Sequence, residues 1–144
     1  ESPGLSSAPA IGAYLARAAA EKLGLAEKAD FNPRRRGIPH LKELPFAERQ
    51  ALAAQNPAYG NIICRCEGIT EGEILDAIHR TPGARSLDGV KRRVRAGMGR
   101  CQGGFCSPKV TAILARELGI SLTEVTKSGG SSVLLTGRDK EVQP

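Results

Sequence analysis

Residues 61–74 read "NIICRCEGITEGEI", and residues 98–110 read "MGRCQGGFCSPKV". All four cysteines of the 144-residue chain lie in these two stretches, Cys64 and Cys66 with one residue between them, Cys101 and Cys106 with four. Each pair stands just ahead of a helix start. Thr70 and Glu73 form a T-x-x-E capping box, with Ile69 and Ile74 placed as its hydrophobic staple. Ser107 followed by Pro108 has the cap-then-proline form of another start. Helix N-termini carry unpaired N–H donors and partial positive charge, which stabilise thiolates. Gly97, Gly99, Gly103 and Gly104 permit close backbone approach and leave N–H groups free to turn inward. Arg65, Arg100 and the run Lys91, Arg92, Arg93 and Arg95 are expected to offset the charge of four thiolates.

Four thiolates in two loops suit an iron–sulfur cluster or a tetrahedral zinc ion. Zinc knuckles favour C-x₂₋₄-C pairs, whereas a C-x-C pair fits a binuclear [2Fe–2S] centre in which each pair holds one iron. A disulfide between Cys64 and Cys66 would be strained, and one between Cys101 and Cys106 is disfavoured in a reducing compartment. The order of preference is cluster, then zinc, then disulfide. Cys64, Cys66, Cys101 and Cys106 are therefore the predicted metal ligands, and no residue is predicted to be catalytic.

Around this centre the pattern predicts a mainly α fold, a small bundle of short helices about a four-cysteine site. Leu87, Val90 and Val94 recur at helical spacing after a Ser86 cap, with Gly97 and Gly99 as the stop. Val110, Ile113, Leu114 and Leu118 repeat the pattern after Ser107, with Gly119 as the stop, and Ser121 with Glu124 caps one further turn. Residues 7–23 read as an N-terminal helix capped by Ser7 and stopped by Gly24. Residues 26–60 hold four prolines and form an irregular connector with one short helix starting at Pro45. The tail "SVLLTGRD" has strand character. The predicted organisation is 1–25, 26–60, 61–119 for the cysteine domain, and 120–144 for a turn and tail.

Composition narrows the function. Aromatics are only 3% of residues, so the core is aliphatic and thin, and a metal staple is useful in so small a domain. The net charge of +6 raises nucleic acid as a partner, but the basic run of residues 91–95 has no aromatics for base stacking. No apolar run is long enough to span a bilayer, and no signal peptide opens the chain, so a cytoplasmic, reducing setting is expected. No Ser/His/Asp set or paired carboxylates stand out. His40 is isolated, and His79 sits late in a helix, where interaction with the helix end suffices. The chain starts at Glu1 rather than Met, the expectation for a processed product or a piece of something longer.

"IICRCEGITEGEI" followed by "GVKRRVRAGMGRCQGGFCSPKV" resembles the BFD-like [2Fe–2S] domain. The resemblance covers roughly residues 57–119, and the C-x-C and C-x₄-C spacing is similar to the version at the C-terminus of FAD-dependent oxidoreductases of the glycerol-3-phosphate dehydrogenase and D-amino-acid oxidase type. It implies that the four cysteines hold a [2Fe–2S] cluster. The opening "ESPGLSSAPAIGAYLA" is similar to the segment closing the FAD-binding domain of such enzymes, which implies that Ser2, Gly4 and Leu5 face FAD in a full-length parent. The implied role is a one-electron relay between the flavin domain of the same polypeptide or complex and an external redox acceptor protein or quinone. Such a module is not catalytic in isolation. The alternative is a zinc-stabilised helical module binding nucleic acid or a protein through Lys91, Arg92, Arg93 and Arg95.

Overall fold

The computed structural model describes residues 3–137. These fall into two compact units that part between Arg36 and Gly37. Among the described residues five α-helices, three short 3₁₀ helices and one two-stranded sheet make up the regular structure, so the fold is mainly α as the sequence pattern predicts.

The first unit is dominated by α1 (Pro3–Leu23), none of whose residues is buried. The helix starts earlier than its sequence pattern indicates. Pro3 opens it, a position where proline's fixed φ is already helical and its missing N–H is not needed. Ser7 is therefore no cap: it lies inside the helix, and its hydroxyl donates to the Pro3 carbonyl one turn back. Gly24 ends the helix as predicted, with the Gly24 and Leu25 amides returning to the Glu21 and Ala20 carbonyls at 3.4 and 2.9 Å.

The second unit holds α2 (Phe46–Gln55), a hairpin of β1 (Ile62–Cys64) and β2 (Ile69–Thr70), then α3 (Glu71–His79), α4 (Leu87–Val94) and α5 (Ser107–Leu118). The strands pair antiparallel, Ile62 with Thr70 and Cys64 with Ile69, with an irregularity between. Strands of three and two residues are too short for an alternating pattern, so the sequence carries no sign of them. The Thr70–Glu73 box forms in full: Glu73 Oε2 accepts from the Thr70 amide at 2.8 Å and the Thr70 hydroxyl at 2.9 Å. Glu73 is fully buried, and its other oxygen has no hydrogen bond and lies 3.8 Å from His40 Nδ1. Ser86 caps α4 by accepting from the Gly89 amide at 3.1 Å.

Three details depart from expectation. Helix α4 stops at Arg95, which takes the left-handed conformation at φ 65° while its guanidinium is held by Glu67 at 3.0 Å; Gly97 comes too late to act. Helix α5 is preceded by Cys106, and Ser107 is its first residue, so Ser107 supplies no side-chain cap. The tail forms a single bridge, Thr126 with Val133, because Ser132 takes the Ser128 amide with its hydroxyl (2.9 Å) and diverts the ladder. Its last predicted strand residues, Arg138 and Asp139, lie outside the described residues.

The core is aliphatic, built from Ile63, Ile69, Ile74, Ile78, Val90, Val94, Val110, Ile113, Leu114 and Val125, with Cys64 and Cys106 embedded among them. Helices α3 and α5 are also clamped at the surface. Arg116 donates to Glu71 Oε1 and to Glu117 Oε1, both at 2.7 Å, and His79 Nε2 meets Glu117 Oε2 at 2.7 Å. His79 is thus a partner of α5 rather than of its own helix end. Arg116 first, then Asn61 for Glu71 and His79 for Glu117, hold both carboxyls below the usual carboxylate range. A depressed folded pKa means stability that is present above the unfolded value and lost as pH falls through the folded one. Arg116→Ala is expected to cost about 1 kcal/mol at neutral pH, discounted for the exposure of the guanidinium. The gap to the unmutated chain should shrink as pH falls through the depressed carboxyl values and close once both are protonated; urea unfolding at a series of decreasing pH values measures it.

Candidate metal centre

The fold brings both cysteine pairs to one place. Cys64, Cys66, Cys101 and Cys106 line a single cavity together with Ile63, Arg65, Phe105 and Lys109. Cys64 is the last residue of β1 and only 1% exposed, while Cys66 lies two residues on in the hairpin turn and is exposed. Cys101 is half-buried in the loop between α4 and α5, and Cys106 is 2% exposed at the foot of α5. The site has an inner pair set in the core and an outer pair facing water. None of the four is in a disulfide.

The sulfurs of the two loops act on one another. Cys101 is hydrogen-bonded with Cys66, and Cys106 with Cys64. Among the described residues, no three His, Cys, Asp or Glu side chains converge as one metal ion requires.

The electrostatics of the two pairs differ. The Cys101 thiol is held below its ordinary pKa, chiefly by the backbone N–H of Phe105, then by Cys66 and the Gly103 and Gly104 amides. These are the inward-turned N–H groups that the glycine content indicates. Cys106 is pushed up to about 11 by burial, and further by Cys64 and Cys101. Four sulfurs packed this closely cannot all ionise without a cation among them, and bound metal supplies that cation. The donor set and the amide cradle therefore fit a cationic iron–sulfur or metal centre.

Gly99 makes the close packing of the two loops possible. A Cβ there would lie 2.3 Å from the Cys66 Cβ, inside any real contact. Gly99→Ala is expected to push the two loops apart and lower bound iron several-fold, with helix content by circular dichroism unchanged.

Two expectations about the surroundings are not met. None of the run from Lys91 to Arg95 lines this cavity, although Lys91 reaches the other side of Cys106, in a neighbouring pocket with Gly103 and Ser107. Arg92 pairs with Asp88 at 3.7 Å, Arg93 donates to the Gly89 and Pro82 carbonyls, and Arg95 is held by Glu67. The cations that line the cavity are Arg65 and Lys109, the second unremarkable in the sequence. Helix α3 contributes no residue to the lining either; its Glu71 amide donates to the Asn61 carbonyl and its Glu73 amide to the Thr70 hydroxyl. Phe105 was also missed, although its position inside C-x₄-C is a signal. Of the residues assigned to FAD, Gly4 and Leu5 lie exposed in the first turn of α1, and Ser2 lies outside the described residues.

Residues 62–116 match the model of the BFD-like [2Fe-2S] binding domain. The chain is 58% identical over 147 residues to a glycerol 3-phosphate dehydrogenase of Caloramator mitchellensis, across 99% of its own length and 30% of that relative. It is 41% identical to a component of opine oxidase from Rhizobium meliloti, over 62% of this chain and 16% of the relative. It is 34% identical to a component of the anaerobic glycerol-3-phosphate dehydrogenase of Escherichia coli (strain K12), over 65% and 17% respectively. The chain thus spans less than a third of these relatives' length. No solved structure matches it. Every one of the four cysteines falls within the matched segment, and residues 62–116 belong to the family of BFD-like [2Fe-2S] binding domains.

Proposed function

We propose that this chain is the electron-relay portion of a larger FAD-dependent oxidoreductase of the glycerol-3-phosphate dehydrogenase kind. Cys64, Cys66, Cys101 and Cys106 hold its [2Fe–2S] cluster, and single electrons pass through it between the parent's flavin and an external acceptor. The observation that carries the reading is the meeting of all four cysteines in one cavity, from a C-x-C and a C-x₄-C pair whose spacing suits a binuclear centre better than a zinc knuckle. The 58% identity along 99% of the chain supports the choice of parent, with glycerol 3-phosphate as its substrate and a flavin domain as the donor.

When bound, the cluster supplies a one-electron couple. The residues do the rest. Four thiolates bind it, and the Cys64 and Cys106 side is sealed in the aliphatic core, which excludes water there. The amides of residues 103–105 place N–H dipoles on the Cys101 sulfur, which favours the more negative, reduced state and raises the potential. No helix of the described residues is long and apolar enough to cross a membrane.

The test is anaerobic purification followed by analysis of iron, acid-labile sulfide and zinc. About two irons and two sulfides per chain, with an electron paramagnetic resonance signal on dithionite reduction, are expected. One zinc per chain, no sulfide and no cluster after reconstitution would overturn the reading.

A further inference from the structure

The outer half of the site carries a second message, which rests on the reading of the cysteines as cluster ligands. Phe105 is 85% exposed, the largest apolar group at the cavity mouth, in a chain with only three phenylalanines. It stands within the loop that connects Cys101 to Cys106, beside the water-facing pair Cys66 and Cys101. Around it are Arg65 and Lys109 on the cavity wall and Arg100 next to Cys101, all three exposed. No carboxylate of the described residues lines the cavity. The adjacent acid, Glu67, is taken up by Arg95 at 3.0 Å.

We infer that this mouth is the docking face for a redox protein whose electron-transfer edge is ringed by carboxylates. Three separate features point there. Inward, Cys64 and Cys106 are closed off by the core, so the route between cluster and solvent runs through the Cys66 and Cys101 side. An exposed aromatic sharing the cavity wall with Arg65 and Lys109 has the form of an interface anchor with a polar rim. Rim cations without local acids act through complementary charge, setting encounter rate and partner choice more than affinity. In the exchange one electron leaves the cluster and one enters the partner's centre, with no bond made or broken.

The test uses the cluster-loaded chain, with ferric cytochrome b5 as an acidic probe and ferric cytochrome c as a basic one. Electron exchange with each is followed by stopped-flow absorbance across a range of salt. The rate with the acidic probe should fall as salt rises, and the rate with the basic probe should rise or stay flat. Lys109→Glu should slow exchange with the acidic probe by about tenfold at low salt, and Arg65→Gln by several-fold, each rate being taken per bound cluster from the measured iron. Phe105→Ala should slow it several-fold at every salt concentration. Faster exchange with the basic probe at low salt than at high, or indifference of both probes to Lys109→Glu and Arg65→Gln, would overturn the inference. Because iron and sulfide are measured on every sample, a chain with no cluster fails the relay reading. A loaded, reducible chain with no charge preference fails the docking face alone.

Discussion

Cys64→Ser and Cys106→Ser each leave a chain with less than about a tenth of the normal iron, and each also unfolds more easily when metal-free. Two effects combine. The serine hydroxyl is a poorer ligand than thiolate, so the cluster is lost. At 1% and 2% exposure the new hydroxyl also replaces a sulfur packed among Ile63, Val110 and Ile113, and a buried hydroxyl without a partner costs about 1–3 kcal/mol. Cys101→Ser separates the two effects. Cys101 is half-buried at the mouth, so its loss should empty the site while leaving the metal-free chain's stability nearly unchanged. Iron analysis paired with thermal melts of metal-free protein reads both. Equal iron in Cys101→Ser and the unmutated chain would remove Cys101 from the ligand set.

Leu114→Ala has the largest expected effect on the fold itself. Leu114 is fully buried in α5 and lies at the centre of the aliphatic core. Truncating it forfeits burial and leaves a cavity, at about 3 kcal/mol. Total stability of a domain this size is of order 5–15 kcal/mol, so the loss takes a large fraction of it. A fall in melting temperature of about 10–20 °C is expected. A drop of only a few degrees would mean that the core around α5 collapses to fill the space. The same substitution should weaken cluster retention, since Cys106 heads the helix that Leu114 anchors.

The legible parts of the sequence are those governed by local chemistry. The Thr70–Glu73 box, the Ser86 cap and the Gly119 stop each involve residues within one turn, and each forms. The cysteine spacing is equally local, and all four side chains reach one cavity. What was not legible depends on distant partners. The hairpin of β1 and β2 is too short for any periodicity, yet it orients Cys64 into the core. The cations from Arg92 to Arg95 are close to Cys101 in sequence, but they are engaged by Asp88, by the Gly89 and Pro82 carbonyls and by Glu67, and Lys109 lines the cavity from the next helix. Arg95 itself takes the left-handed turn that ends α4, before any glycine, and its side chain reaches Glu67, 28 residues earlier. Ser7 could have capped a helix; Pro3, a better first-turn residue, started it first.

The division into an inner and an outer pair decides how the site deteriorates. A thiol is attacked by oxidants in its ionised form, and only where they can reach it. Cys101 meets both conditions, with its amide-bound sulfur and open side, and Cys66 lies within hydrogen-bond reach to capture the product. Cys106 meets neither, being sealed and hard to ionise. In air the metal-free chain should therefore close a Cys66–Cys101 disulfide before the inner thiols react, as peptide mass mapping would show. That bond is reversible by thiol reductants, so a metal-free sample oxidised in this way can be reduced and loaded again.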